Sequence, residues 1–211
     1  MKIVLFGDSI TDACRNRNTD RYTGALGSGY ALFIGGELTK DAPNEYEIYN
    51  RGISGNRVVD LYARIKADVW NLQPDVLSIF IGINDIWHEL GGQNGVDLER
   101  FEKVYRMILD DTLARLPKLK IMLCEPYVLH GDATDEKWEE FNKVREYAKV
   151  VKNLAKEYGL YFVPTQAPLE NRAEKFGAKY YADDGVHPTP AGAKVLADEW
   201  IKVFNEQVNK F

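Results

Sequence analysis

The chain holds only two cysteines, Cys14 and Cys124, and they form neither a C-x-x-C pair nor any paired metal-ligand spacing. A disulfide-stapled scaffold is thereby excluded, both residues read as free thiols, and a cytoplasmic setting is expected. Histidine is also sparse, with residues only at 88, 130 and 187. His88-Glu89, two neighbours without further ligands, makes a weak metal site, and no metal or other cofactor is expected. Long apolar runs are missing too. The longest, Val76 to Ile83, is broken by Ser78 and Gly82 and falls far below the ~18 residues that cross a bilayer. At the amino end only Ile3 to Phe6 are apolar before Gly7-Asp8, too few for the hydrophobic stretch of a secretion signal. There is no basic excess: 27 Lys+Arg stand against 32 Asp+Glu, a net charge of -5, which argues against nucleic acid as a partner. No G-x-G-x-x-G or G-x-x-x-x-G-K-S/T follows a strand, so a nucleotide loop is not indicated.

What is present is the make-up of a soluble globular protein: 211 residues, 45% hydrophobic and 28% charged. A chain of this length buries roughly 70% of the surface it would expose unfolded, enough for a core without staples. No linker, repeat or low-complexity stretch interrupts it, so residues 1–211 read as a single domain. The acidic composition does not decide oligomerisation, and a homo-oligomer stays open.

Five short runs rich in Ile, Val, Phe and Tyr predict strands: Ile3 to Phe6, Glu47 to Asn50, Val76 to Ile81, Lys120 to Cys124 and Tyr161 to Val163. Between them apolar residues recur at three and four. Val58, Leu61, Ile65, Val69 and Leu72 predict a helix within Asn56 to Leu72; Leu98, Phe101, Val104, Tyr105, Ile108 and Leu113 predict a second. A third runs from Trp138 to Tyr158, and a last begins at Thr189 as N-cap with Pro190 in its first turn. Strands alternating with helices imply parallel strands joined by right-handed crossovers and covered on both faces, a three-layer α/β sandwich. Helix-to-strand joins such as Gln73-Pro74-Asp75 are brief, whereas strand-to-helix joins (Thr11 to Gly29, Asp85 to Asp97, Pro126 to Glu136) are long. Long loops thus gather at the carboxyl ends of the strands, where open α/β sheets bind ligands.

At that rim, Gly7-Asp8-Ser9-Ile10-Thr11 puts a hydroxyl where the first strand ends. Alone, Ser9 reads as a serine in a Gly-Asp turn bonding its own backbone. A nucleophilic serine needs a base, and the base an acceptor that fixes its tautomer. Asp184 and His187, three apart in Asp183-Asp184-Gly185-Val186-His187-Pro188, can supply both. Acyl transfer also needs donors for the oxyanion. Candidates are the Gly55 amide in Gly52-Ile53-Ser54-Gly55-Asn56, the Asn84 side chain in Gly82-Ile83-Asn84-Asp85, and the Ser9 N–H. Taken singly, the glycines are turn punctuation and Asn84 a capping residue.

Together, Gly7-Asp8-Ser9, Gly55, Gly-Ile-Asn84-Asp85 and Asp184-x-x-His187 resemble the four blocks of the SGNH hydrolases, the GDSL esterase family, in order and spacing over nearly the whole chain; Ile10 replaces the Leu of that name. The resemblance implies a flavodoxin-like sheet of order 2-1-3-4-5. It also implies a catalytic triad of Ser9, His187 and Asp184, and an oxyanion hole of Ser9, Gly55 and Asn84. Longer stretches, among them Gly52 to Leu61 and Ile81 to Trp87, are similar to the carbohydrate-deacetylating members, especially acetyl xylan esterases. The implied substrate is a small acylated molecule, an acetylated saccharide such as a xylo-oligosaccharide. Lysophospholipases and thioesterases share the same blocks and form the alternative. Arg57, Trp87 and Tyr181 lie near the blocks as candidate substrate-binding residues, Trp87 as a wall for the acyl group. In the blander reading, Trp87 packs under its loop and Arg57 is a solvated residue of a first helical turn. Asp8 and Asp85 read as carboxylates that hold loops through backbone N–H groups, and Cys14 as a packing residue.

Overall fold

In the computed structural model, which describes residues 1–20 and 24–209, the five expected strands form β1 (Lys2–Gly7), β2 (Glu47–Gly52), β3 (Val76–Phe80), β4 (Lys120–Cys124) and β5 (Tyr161–Val163). Every pairing is parallel, in the order β2-β1-β3-β4-β5. Ile3, Val4, Leu5 and Phe6 of β1 and Val76, Leu77 and Ile79 of β3 have no accessible surface. Their apolar runs, interrupted in β3 only by the buried Ser78, suit strands covered on both faces; an alternating pattern would leave one face wet.

The helices are α1 (Ser9–Asp12), α2 (Tyr30–Thr39), α3 (Val58–Asp68), α4 (Ile83–Gly92), α5 (Leu98–Arg115), α6 (Trp138–Phe141), α7 (Val144–Glu157), α8 (Gln166–Phe176) and α9 (Pro190–Val203). Handedness sorts them into layers. The crossover from β1 to β2 runs one way across the sheet and those from β2 onward run the other, so right-handed connections put their helices on opposite faces. Accordingly α3, α5 and α7 pack in a row on one face, while α2, α9 and α8 pack on the other. The reversal at β1 opens a cleft between the loops that follow β1 and β3, the usual ligand position in such sheets.

Several expectations need correction. The third periodic helix is two: Asn142 and Lys143 keep helical φ near -60° but shallow ψ of -17° and -16°. The Lys143 and Arg145 N–H groups there bond three residues back, to Glu140 and Asn142, so the apolar phase survives a break in the ladder. Helix α3 likewise ends at Asp68, with a 3-10 turn over Trp70–Leu72. The join 85–97 is mostly α4 rather than loop. The join 11–29 contains residues 21–23, which lie outside the described residues, and 126–136 is irregular until a 3-10 turn at Asp135–Lys137. The last helix starts as expected, with Thr189 Oγ1 accepting the Gly192 N–H at 3.2 Å.

Candidate active site

The chain leaves β1 at Gly7, and Asp8 immediately caps α1, its carboxylate accepting the Ile10 N–H at 2.9 Å. Ser9 is therefore the first residue of a short rigid helix at the sheet rim. Its Oγ lies 2.8 Å from His187 Nε2. His187 Nδ1 lies 2.6 Å from Asp184 Oδ2. The other Asp184 oxygen accepts the backbone N–H groups of Val186 at 2.9 Å and His187 at 2.7 Å. The carboxylate thus shapes the turn and orients the ring at once.

The electrostatics follow from these bonds. The bond from Asp184, reinforced by its charge, raises the His187 pKa above 6.5 against the opposing effect of burial. For Asp184, burial is the largest single influence and acts upward, yet the three hydrogen bonds and the His187 charge together hold it below 3.8. Such a pair keeps the acid ionised and stabilises the imidazolium that forms when the serine loses its proton.

The three donors expected for the oxyanion, the Ser9 and Gly55 N–H groups and the Asn84 amide, are held in different ways. Gly55 has φ of +83°, a left-handed backbone that only glycine adopts without strain. Among the described residues neither the Gly55 nor the Ser9 N–H meets a protein acceptor. The third donor, Asn84, is buried in the first turn of α4, and Nδ2 spends one hydrogen on the Asn56 carbonyl at 3.1 Å. Its second hydrogen is free to point at an incoming oxygen.

Carboxylates brace these donors. Asp85 accepts the Val58 N–H at 3.1 Å and so fixes the start of α3 beside Gly55; burial drives its pKa well above 3.8. Asp12 accepts both the backbone N–H of Ser54 at 3.0 Å and its hydroxyl at 2.9 Å, tying the Gly55 turn to α1. Sequence reasoning singled out Asp85 but missed Asp12, whose only signal was a carboxylate three residues after the serine.

The comparisons with known proteins can now be set against this geometry. The profile of the GDSL-like lipase/acylhydrolase family matches residues 5–195. This chain belongs to that family. It is 35% identical over 208 residues to the acetylxylan esterase of Geobacillus stearothermophilus, covering 95% of this chain and 92% of that protein. A solved structure of a GDSL-like protein from Parabacteroides merdae superposes with a TM-score of 0.92 at 38% identity, covering 97% of this chain and 95% of the other. A structure of the Geobacillus esterase gives 0.87 at 34% identity, covering 98% and 94%. Structures of that esterase described as catalytic mutants replace a serine, an aspartate and a histidine, each by alanine.

In this GDSL-family chain the flanking candidates differ in placement. Trp87, on α4 rather than a loop, sets its ring 5.8 Å from the His187 ring and 5.5 Å from Phe141, centroid to centroid. Arg57 is committed to structure: Nε bonds Asp60 at 2.9 Å and Nη1 the Asn94 carbonyl at 2.6 Å, so it ties α3 to the end of α4 and is not a solvated residue. Tyr181 is tied in by its backbone, its carbonyl accepting the Thr189 N–H at 2.9 Å. Its side chain is half-buried against the core. His88 brings its ring beside Gly55. Cys14 is exposed, with φ of +58°, and does not pack as expected. Cys124 is buried against Ser78, and burial pushes its thiol up to about 12.

Proposed function

We propose that the protein is a serine carboxylic ester hydrolase that removes acetyl groups from short acetylated saccharides such as xylo-oligosaccharides. The observation that carries the reading is the 2.8 Å contact between Ser9 Oγ and His187 Nε2, on a ring already held by Asp184. Ser9 Oγ attacks the acetyl carbonyl carbon while His187 Nε2 takes its proton. Negative charge moves to the carbonyl oxygen, which the Ser9 and Gly55 N–H groups and the Asn84 amide receive. As the tetrahedral adduct collapses, His187 returns the proton to the departing sugar oxygen, leaving an acetyl group on Ser9. Water, deprotonated by His187, then releases acetate and restores the serine. The steps balance without a cofactor.

The substrate class is supported by the acetylxylan esterase likeness over 95% of the chain. A cytoplasmic setting is supported by Cys14 and Cys124 being unpaired. Among the described residues no helix is long and apolar enough to cross a membrane.

Acetate release from acetylated xylo-oligosaccharides, beside aryl esters of increasing acyl length, tests the proposal. Aryl acetate is expected to outpace aryl octanoate. Faster octanoate turnover would move the enzyme to the lysophospholipase or thioesterase side of its family while leaving the hydrolytic machinery in place.

A further inference from the structure

The residues from Gly55 to Val58 are tied one by one to α4 or to the chain just beyond it. The Asn56 carbonyl accepts from Asn84 at 3.1 Å, Arg57 Nη1 donates to the Asn94 carbonyl at 2.6 Å, and the Val58 N–H donates to Asp85 at 3.1 Å. Gly55 differs. It meets α4 through His88, whose Nε2 and Cε1 lie 3.8 and 3.9 Å from the position a Cβ on Gly55 would take. A nitrogen-bearing edge of the imidazole therefore faces the space beside an oxyanion donor. His130 and His187 each hold an aspartate through Nδ1, at 2.7 and 2.6 Å; among the described residues His88 has no hydrogen-bond partner at either ring nitrogen. The strip between the catalytic pair and α4 is open, for Ser9, Gly55, Trp87 and His88 are half-buried and His187 is exposed.

We infer that His88 is a specificity-determining residue whose imidazole hydrogen-bonds the saccharide hydroxyl next to the ester; the inference rests on the proposed function. The reaction restricts where that hydroxyl lies. The carbonyl oxygen is received by the Ser9 and Gly55 N–H groups and Asn84, while the leaving oxygen approaches His187 Nε2. The histidine turn is itself held in place: the Leu129, Asp132 and Ala133 N–H groups donate to the carbonyls of Gly185, Asp183 and Asp184 at 2.8, 3.2 and 3.1 Å. Both oxygens belong to one acetyl ester, and a hydroxyl on the neighbouring ring carbon stands beside them. On the His187 side the neighbour from α4 is the Trp87 ring, 5.8 Å away between centroids; on the Gly55 side it is His88, which offers a nitrogen. The two are consecutive in α4, one turn beyond Asn84. A hydroxyl both donates and accepts, so it satisfies Nε2 in either tautomer. An acetyl methyl in that place would shield the nitrogen from water without pairing it, which is unfavourable.

Two esters test this: a methyl xylopyranoside with one acetyl group beside a free hydroxyl, and the analogue in which hydrogen replaces that hydroxyl. The wild-type kcat/KM should favour the hydroxyl-bearing ester about tenfold, the order expected of one hydrogen bond. His88→Phe keeps a ring against Gly55 but no nitrogen, and the ratio of the two esters should fall to about one. His88→Gln, which keeps a donor and an acceptor, should retain most of the preference. If His88 only braced the Gly55 turn, the variants would slow both esters together and leave the ratio at its wild-type value; that result would overturn the inference. So would a wild-type enzyme that hydrolyses both xylosides without distinguishing them. Hydrolysis of aryl acetate but of neither xyloside would instead bring down the saccharide reading, and this inference with it.

Discussion

Asp184 Oδ2 sits 2.6 Å from His187 Nδ1, while Oδ1 accepts the His187 backbone N–H at 2.7 Å. One carboxylate thus holds both ends of the residue it orients. Because its hydrogen bond, helped by its charge, raises the imidazole pKa above 6.5, the base form needed by Ser9 grows in only at higher pH. The acid limb of kcat/KM should have an apparent pKa above 6.5. Asp184→Asn removes the stabilising charge, so the limb should move down and kcat should fall by about 10⁴. A pH-rate profile of both enzymes checks the sign.

Asn84 donates to the Asn56 carbonyl at 3.1 Å and keeps one hydrogen for substrate. Asn84→Ala should lower kcat by roughly 10²–10³, the loss seen for one oxyanion donor, with KM changed far less. Steady-state kinetics beside a thermal melt would separate this from misfolding. Unchanged turnover would remove Asn84 from the hole.

Asp85 tests the bracing argument. Asp85→Ala leaves the buried Val58 N–H without its acceptor and should cost about 1–3 kcal/mol of stability. Asp85→Asn keeps an oxygen in place and should cost less. Denaturant titration of the two variants measures the difference; equal losses would mean that the bond to Val58 is not what matters.

Asp8 carries a pH signature of its own. Burial pushes its carboxyl from 3.8 to about 7 against the Ile10 N–H bond and the His187 charge. The folded protein then holds a proton that the unfolded chain has already released, so stability is fully present below about 3.8 and falls as pH rises through about 7. Asp8→Asn, which keeps an acceptor for Ile10, should flatten that fall. Chemical denaturation across pH 4 to 8 is the relevant measurement.

The central strands and the helices α5 and α9 were legible because their buried positions follow one period. Helix α4 was not, for another reason: Ile83, Ile86, Trp87 and Leu90 do recur at i, i+3, i+4 and i+7, but the stripe is short, starts directly after β3 and ends in Gly91-Gly92, so it reads as part of a loop. Helix α8 buries only Gln166 and Leu169, and α2 is apolar nearly all round with Gly35-Gly36 in its middle. Neither leaves a clean pattern. In the site, the Asp184-x-x-His187 spacing and the glycine at 55 were readable because a short turn encodes them locally. The fastening of 129–133 to 183–185 was not, since it consists of backbone bonds between segments some fifty residues apart.

The central claim is that Ser9 is a nucleophile activated by His187. Treating the protein with a serine-directed phosphonate and mapping the adduct by mass spectrometry tests it most directly. One adduct on Ser9, lost or greatly slowed in His187→Ala, is the predicted result. An adduct on another residue, or undiminished Ser9 labelling without the imidazole, would contradict the mechanism.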